Sequence, residues 1–284
     1  MNYHPQYNNF ISADRSYKES EVVIIGLPFD STSSFRPGSR FAPNQIRTVS
    51  YNLETYSPYL ERDLESIAIT DYGDLELPFG NVMKTIEIIE ETASKLINDD
   101  KKVVYIGGEH TITYPIIKAY KKKLGNLKVI QFDAHCDLRE DYLGDKFSHA
   151  TVMRRIVDEI GEKNIFQLGI RSGTKEEFEY MKKLASLYYF SKDSITKLLS
   201  NIKEDDNVYL TVDMDVFDPS NAPGVGTPEA GGIDFAQFME VIKMLDINVI
   251  GFDIVELAPD YDISKISTAL ATKIIREMIL KFYY

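Results

Sequence analysis

A three-layer α/β/α domain built on a mostly parallel sheet is what this 284-residue sequence predicts. Three features point there: short runs rich in Val and Ile, longer segments with helical periodicity, and alternation of the two along the chain. The runs are Val22–Gly26, Ile67–Thr70, Val103–Ile106, Val129–Phe132, Ile165–Gly169, Val208–Val212 and Val249–Val255. Near-continuous apolar character, rather than apolar–polar alternation, marks strands covered on both faces. Between the second and third runs, Val82, Ile86, Ile89, Ala93 and Leu96 recur at steps of four and three, giving one apolar stripe on a helix from Asn81 to Ile97. The segment from about Lys265 to Lys281 repeats the pattern with Leu270, Ile274, Ile275 and Met278. No repeat, low-complexity tract or linker interrupts the alternation, so one domain over residues 1–284 is expected.

Composition narrows the partners. Thirty-two Lys and Arg against 44 Asp and Glu leave a net charge of −12. That balance argues against nucleic acid, whose phosphates need a basic face, and suits a cationic small molecule. A single cysteine excludes an internal disulfide and a cysteine-cluster zinc site. No apolar run approaches a membrane span, and the first residues lack the apolar core of a signal peptide, so a cytoplasmic protein without membrane contact is expected.

The rarest chemistry sits in three stretches: Gly107-Gly108-Glu109-His110, Asp133-Ala134-His135-Cys136-Asp137 and Asp213-Met214-Asp215. Two of the four histidines fall within them, and His149 follows closely. Each stretch ends an apolar run, and in a parallel sheet such ends share the edge where ligands bind. In extended backbone, alternate residues face one side. Asp133, His135 and Asp137 would then point to a common centre, as would Asp213 and Asp215, with Ala134, Cys136 and Met214 turned away. Asp133, Asp137, Asp213 and Asp215 together carry four negative charges, which two divalent cations balance; without cations they would repel or take up protons. Such ions would turn water into a hydroxide nucleophile near neutral pH. Oxygen-rich ligands with two imidazoles favour Mn²⁺ over Zn²⁺. Taken singly, an Asp-x-His or Asp-x-Asp is usually a turn or cap, and a lone His110 a core histidine. It is the convergence of three such elements that argues for a metal centre. Cys136 reads as a small packing residue rather than a reactive thiol.

In this order and spacing, the motifs GGEH, DAHCD, SHATVMRR, DMDVFDPSNAPGVGTPEAGG and DIVELAPDYD resemble the arginase/agmatinase ureohydrolase family. The resemblance runs from Arg36-Pro37-Gly38 to the last helix. It implies an arginase-like α/β/α fold around a mostly parallel sheet of about eight strands, and two Mn²⁺ per chain. One ion would be held by His110, Asp133, Asp137 and Asp213, the other by Asp133, His135, Asp213 and Asp215. His149 would be the proton-shuttling histidine and Glu256 the carboxylate that pairs with a substrate guanidinium, with Asp137 relaying a proton. Family members are commonly homotrimers or homohexamers. One departure is Glu109, where many relatives carry Asp, which bears on the packing behind the ligands.

The reaction so implied is hydrolysis of a guanidino compound to urea and an amine by a hydroxide bridging two Mn ions. A guanidinium carbon is a poor electrophile, so an activated hydroxide and a carboxylate that fixes the planar cation are the needed parts. The stretch Leu138-Arg139-Glu140-Asp141-Tyr142-Leu143-Gly144-Asp145 lacks the Asn-Thr-Pro run of the arginase pattern and is acidic, which favours the terminal ammonium of agmatine. The DLR…Y…SHAT pattern likewise resembles agmatinases, so agmatine to putrescine and urea is the expected reaction. Arg139 leaves a guanidinobutyrase open, and arginase is a further option. A deacetylase-type amidohydrolase would use one metal and would not need His110 together with Asp215. A non-catalytic relative would have lost a ligand, and all six are present.

Overall fold

A computed structural model describes residues 3–4, 9–184, 186–188 and 190–284 of the chain. Its strands are β1 (Tyr3–His4), β2 (Val22–Leu27), β3 (Tyr56–Ser57), β4 (Arg62–Asp63), β5 (Ile69–Leu75), β6 (Lys102–Gly107), β7 (Lys128–Phe132), β8 (Ile165–Leu168), β9 (Ser186–Tyr188), β10 (Val208–Asp213) and β11 (Val249–Val255). The helices are α1 (Ala42–Ser50), α2 (Val82–Asn98), α3 (Thr113–Leu124), α4 (Val152–Ile160), α5 (Lys175–Met181), α6 (Lys192–Leu199), α7 (Phe235–Met244) and α8 (Ile266–Phe282).

Nine strands form one sheet in the order β1-β5-β2-β6-β11-β10-β7-β8-β9. Only β1 runs antiparallel, against the end of β5, so the other eight strands are the parallel sheet. Side chains alternate between two cores. On β2, Val22 and Ile24 join the cluster built with α1, α7 and α8, whereas Val23 and Ile25 join the one built with α2, α3 and α4. Both faces of the sheet are therefore covered, which is why these strands carry no polar stripe.

The expected helices are found. Asn81 caps α2, its side chain accepting from the Lys84 amide at 3.0 Å. Two differences in the strands have physical causes. The run Ile67–Thr70 only begins the second parallel strand: β5 continues to Leu75 through Asp71, Gly73 and Asp74. Those acids are tolerated because buried Arg47 reaches Asp71 at 2.7 Å and Asp74 at 2.5 Å. Strand β9, at the sheet edge, has only three residues and no apolar run to announce it.

Chain order reverses inside the sheet. After β6 the chain moves to β7, builds outward to β9, then returns to insert β10 and β11 between β7 and β6. The carboxyl ends of β6, β11, β10 and β7 thus lie side by side at a switch point of the topology, where such sheets bind ligands.

Candidate metal centre

Each of those four strand ends delivers part of one cluster. His110 follows β6, Asp133, His135 and Asp137 follow β7, Asp213 ends β10 with Asp215 in the turn after it, and Glu256 follows β11. Getting His110 there requires Gly108. A Cβ at that position would fall 1.9 Å from the Phe29 carbonyl oxygen, so only glycine lets the two segments run this close.

His110 opens a single 3-10 turn and is fully buried. Its Nδ1 lies 3.1 Å from Asp133 Oδ2, 3.1 Å from Asp137 Oδ2 and 3.4 Å from Asp213 Oδ2. None of these contacts has hydrogen-bond geometry, so Nδ1 is a buried nitrogen without a hydrogen-bond partner. The other ring nitrogen is fixed: Nε2 is 2.9 Å from Thr211 Oγ1, and that hydroxyl donates to Asp253 Oδ1 at 2.6 Å. With the Thr211 hydrogen spent on Asp253, Nε2 donates to Thr211 and Nδ1 is left facing the carboxylates. Burial opposes a charge on the ring, but the three aspartates outweigh it and raise the imidazole well above its ordinary value.

Asp133 stands between two imidazoles. Its Oδ1 is 3.7 Å from His135 Nδ1, which also lies 2.9 Å from Asp215 Oδ2. Two groups of metal-ligating atoms result, His110–Asp133–Asp213 and Asp133–His135–Asp215, with Asp133 common to both. The Oδ2 of Asp213 faces the first group, while its Oδ1 accepts the Asp215 amide at 2.8 Å. Amide donors orient the other carboxylates: His135 N to Asp133 Oδ1 at 2.6 Å, and Ala134 N to Asp215 Oδ1 at 3.0 Å. Gln131 Nε2 donates to Asp133 Oδ2 at 2.6 Å, and Gln131 Oε1 accepts from Gln167 Nε2 at 2.6 Å.

These residues converge by a different route from the strand alternation expected of them. Strand β7 stops at Phe132, and Asp137 adopts a left-handed backbone with φ 53°. Residues Met214–Val216 form a 3-10 turn in which Asp213 caps the Asp215 amide. Tight turns stabilised by the ligands' own carboxylates do the aiming. Met214 is in the core, as parity suggested, and the Cys136 Sγ packs 3.1 Å from the Met181 sulfur.

The cluster draws in positive charge. Burial opposes a charge on His135, but Asp215 and Asp133 outweigh it and push the imidazole up to about 12. Burial and the charge of Asp133 hold the Asp137 carboxyl up at about 7. Burial and neighbouring Glu109 raise Glu256 well above the carboxylate range. Glu256 is itself left-handed, φ 62°, a strained setting for a non-glycine residue. Its amide donates to Gly108 O at 2.9 Å and its Oε1 accepts the His110 amide at 2.8 Å, so it is tied to β6 as well as β11.

A cavity of about 280 Å³ opens onto this cluster, lined by His135, Asp137, Asp213, Asp215 and Glu256 on one side and by His149, Arg139, Tyr142 and Glu177 on another. His149 begins the 3-10 turn leading into α4, and burial holds its imidazole down at about 4. The expected acidic rim is not what the loop presents. Glu140 pairs with Arg154 and Arg155, and Asp145 accepts the Phe147 amide at 2.8 Å; Arg139 and Tyr142 face the cavity instead. The Arg139 guanidinium stacks 4.9 Å above the Tyr142 ring and lies 3.5 Å from Glu177, a buried carboxylate. Glu177 was invisible as a site residue because its sequence role is a capping box with Thr174. Thr211 and Asp253 did carry a signal, being polar residues inside otherwise apolar strands.

The arginase family model matches residues 20–281. An agmatinase of Bacillus cereus is 48% identical over 280 residues, covering 95% of each chain. An agmatinase of Halalkalibacterium halodurans is 46% identical over 277 residues, again 95% of each. The solved agmatine ureohydrolase of Thermoplasma volcanium superposes with a TM-score of 0.89 at 36% identity, covering 97% of this chain and 94% of the other. Motifs, fold and whole-length similarity agree: the chain belongs to the arginase family and is a ureohydrolase.

Proposed function

We propose that this ureohydrolase cleaves agmatine, adding water across the guanidino C–N bond to give putrescine and urea. The observation that carries the reading is the buried, partnerless Nδ1 of His110 facing three aspartate oxygens, beside a cavity walled by Glu256. Whole-length similarity to agmatinases supports the substrate. Urea release from agmatine by the purified, manganese-loaded protein is the test.

The residues fit a pair of divalent cations, which we assign as Mn²⁺ from the oxygen-rich donor set. His110, Asp133, Asp137 and Asp213 would hold one, and Asp133, His135, Asp213 and Asp215 the other, with four carboxylate charges offsetting two dications. When bound, the ions supply a hydroxide at neutral pH by lowering the pKa of water.

The protein's own groups do the rest. Glu256 keeps Oε2 and a lone pair of Oε1 for the guanidinium N–H groups, fixing the planar cation against the cluster. A cation there also relieves the cost of ionising a buried carboxylate. The departing amine needs a proton, which Asp137 Oδ2 can pass on and His149, at the cavity wall, can exchange with solvent. Arg139, neutralised by Glu177 and stacked on Tyr142, narrows the cavity without offering a free cation to a carboxylate-ended substrate. We further assign the protein as a single-domain, cytoplasmic homotrimer or homohexamer. Among the described residues no helix is long and apolar enough to cross a membrane.

A further inference from the structure

One loop grips both nitrogens of the His149 ring. Thr32 Oγ1 lies 3.3 Å from Nδ1, and Ser34 Oγ lies 3.1 Å from Nε2. Thr32 Oγ1 also accepts the His149 amide at 3.1 Å, and the Tyr142 ring meets the imidazole edge-on at 5.7 Å between centroids. The ring is therefore held by its backbone, both nitrogens and one face.

Which nitrogen carries the hydrogen follows from counting donors. A threonine hydroxyl has one hydrogen. The shortest contact of Thr32 Oγ1 is 2.6 Å, to Glu109 Oε1. Burial pushes the Glu109 carboxyl up to about 7, but the Thr32 amide at 2.8 Å and the Thr111 hydroxyl at 2.8 Å both donate to it and favour its ionised, accepting form. The Thr32 hydrogen goes to Glu109, and toward His149 the oxygen can only accept. A ring nitrogen facing only an acceptor carries a hydrogen, as the partner of one imidazole nitrogen fixes the state of the other. The Ser34 hydroxyl is free to donate to the opposite nitrogen.

We infer that Glu109, acting through Thr32, is a positioning residue that fixes His149 as its Nδ1–H tautomer and leaves Nε2, beside Ser34, as the proton-exchanging atom. The inference rests on the reading in which His149 moves protons for urea formation. Nε2 takes a proton and the ring becomes a cation whose two N–H groups face Thr32 and Ser34 oxygens. The same proton then leaves from Nε2 toward the departing amine, and no hydrogen is gained or lost.

The direct test is ¹⁵N NMR of the imidazoles in protein loaded with diamagnetic Zn²⁺. Four histidines keep the spectrum small, and a His149→Ala sample identifies the signals of His149. The expected result is an unprotonated Nε2 and a protonated Nδ1. Thr32→Val, which removes the hydroxyl but keeps the shape, should mix the tautomers and lower kcat at least about tenfold while leaving KM and metal content nearly unchanged. Thr32→Ser should recover most of that loss. A parent protein with Nε2 protonated overturns the inference, as does a Thr32→Val protein with parental tautomer and kcat. The parental spectrum decides the matter even if the valine variant fails to fold. A parent that shows the expected tautomer but releases no urea from any guanidine contradicts the ureohydrolase reading alone.

Discussion

The Nε2 atom of His110 lies 2.9 Å from the hydroxyl of Thr211, while Nδ1 of the same ring lies 3.1 Å from Asp133 Oδ2. That hydroxyl in turn donates to Asp253, which also accepts Tyr209 at 2.8 Å and Thr113 at 2.9 Å. The chain of donors fixes ring orientation and tautomer together. Thr211→Val keeps the volume and removes the acceptor for Nε2–H. Metal affinity should fall roughly 10- to 100-fold, the usual cost of losing such a partner. Equilibrium dialysis with elemental analysis measures it, and parental affinity would show that Thr211 only fills space.

Asp133 is common to both groups of ligating atoms, and is assigned with Asp213 to both ions. Elemental analysis of the manganese-loaded parent should approach two ions per chain, and Asp133→Ala should lose both. A tightly bound single ion in the parent would rule out the binuclear reading.

Protons and cations compete for the same oxygens. Burial and Asp133 hold the Asp137 carboxyl at about 7, so below that pH a proton must leave before a cation binds. Manganese affinity should therefore weaken more steeply as pH falls through about 7, where Asp137 joins His135 in having to give up a proton before the cation binds, and more protons should be released at pH 6 than at pH 8. Titration calorimetry at pH 6 and pH 8, repeated in buffers of different ionisation enthalpy, reads both affinity and proton release. Equal proton release at the two pH values would contradict the assignment of Asp137 as a ligand.

Glu256 is assigned to substrate, not metal. Glu256→Gln keeps size and hydrogen bonding but removes the charge that offsets the guanidinium. The expected loss is on the order of 10²-fold or more in kcat/KM with metal content unchanged. Loss of manganese, or parental hydrolysis of agmatine, would move Glu256 out of this role.

Much of this was legible because burial on both faces writes strands as Val/Ile runs. Val249–Val255 is read off to the residue, and β5 is cut short only because its acids are neutralised by Arg47 on a distant helix. Site chemistry was legible in kind, since histidines are scarce here and aspartates rarely follow apolar runs in such numbers. Its geometry was not. The left-handed backbone of Glu256 belongs to a residue type that does not announce positive φ, and that of Asp137 to a type that is enriched there but is far more often found elsewhere. The contact between Thr32 and His149 spans 117 positions, and no local pattern encodes it. The acidic look of the loop after Asp137 misled for a related reason: sequence shows charge, while pairing partners such as Arg154 decide which charges face the cavity.

The most direct measurement is the release of urea by the manganese-loaded protein from agmatine, arginine, 4-guanidinobutanoate and free guanidine, compared as kcat/KM. The account predicts that agmatine is the best substrate and that urea and putrescine form in equal amounts. No urea from any of the four, or a higher kcat/KM for arginine or 4-guanidinobutanoate than for agmatine, would contradict it.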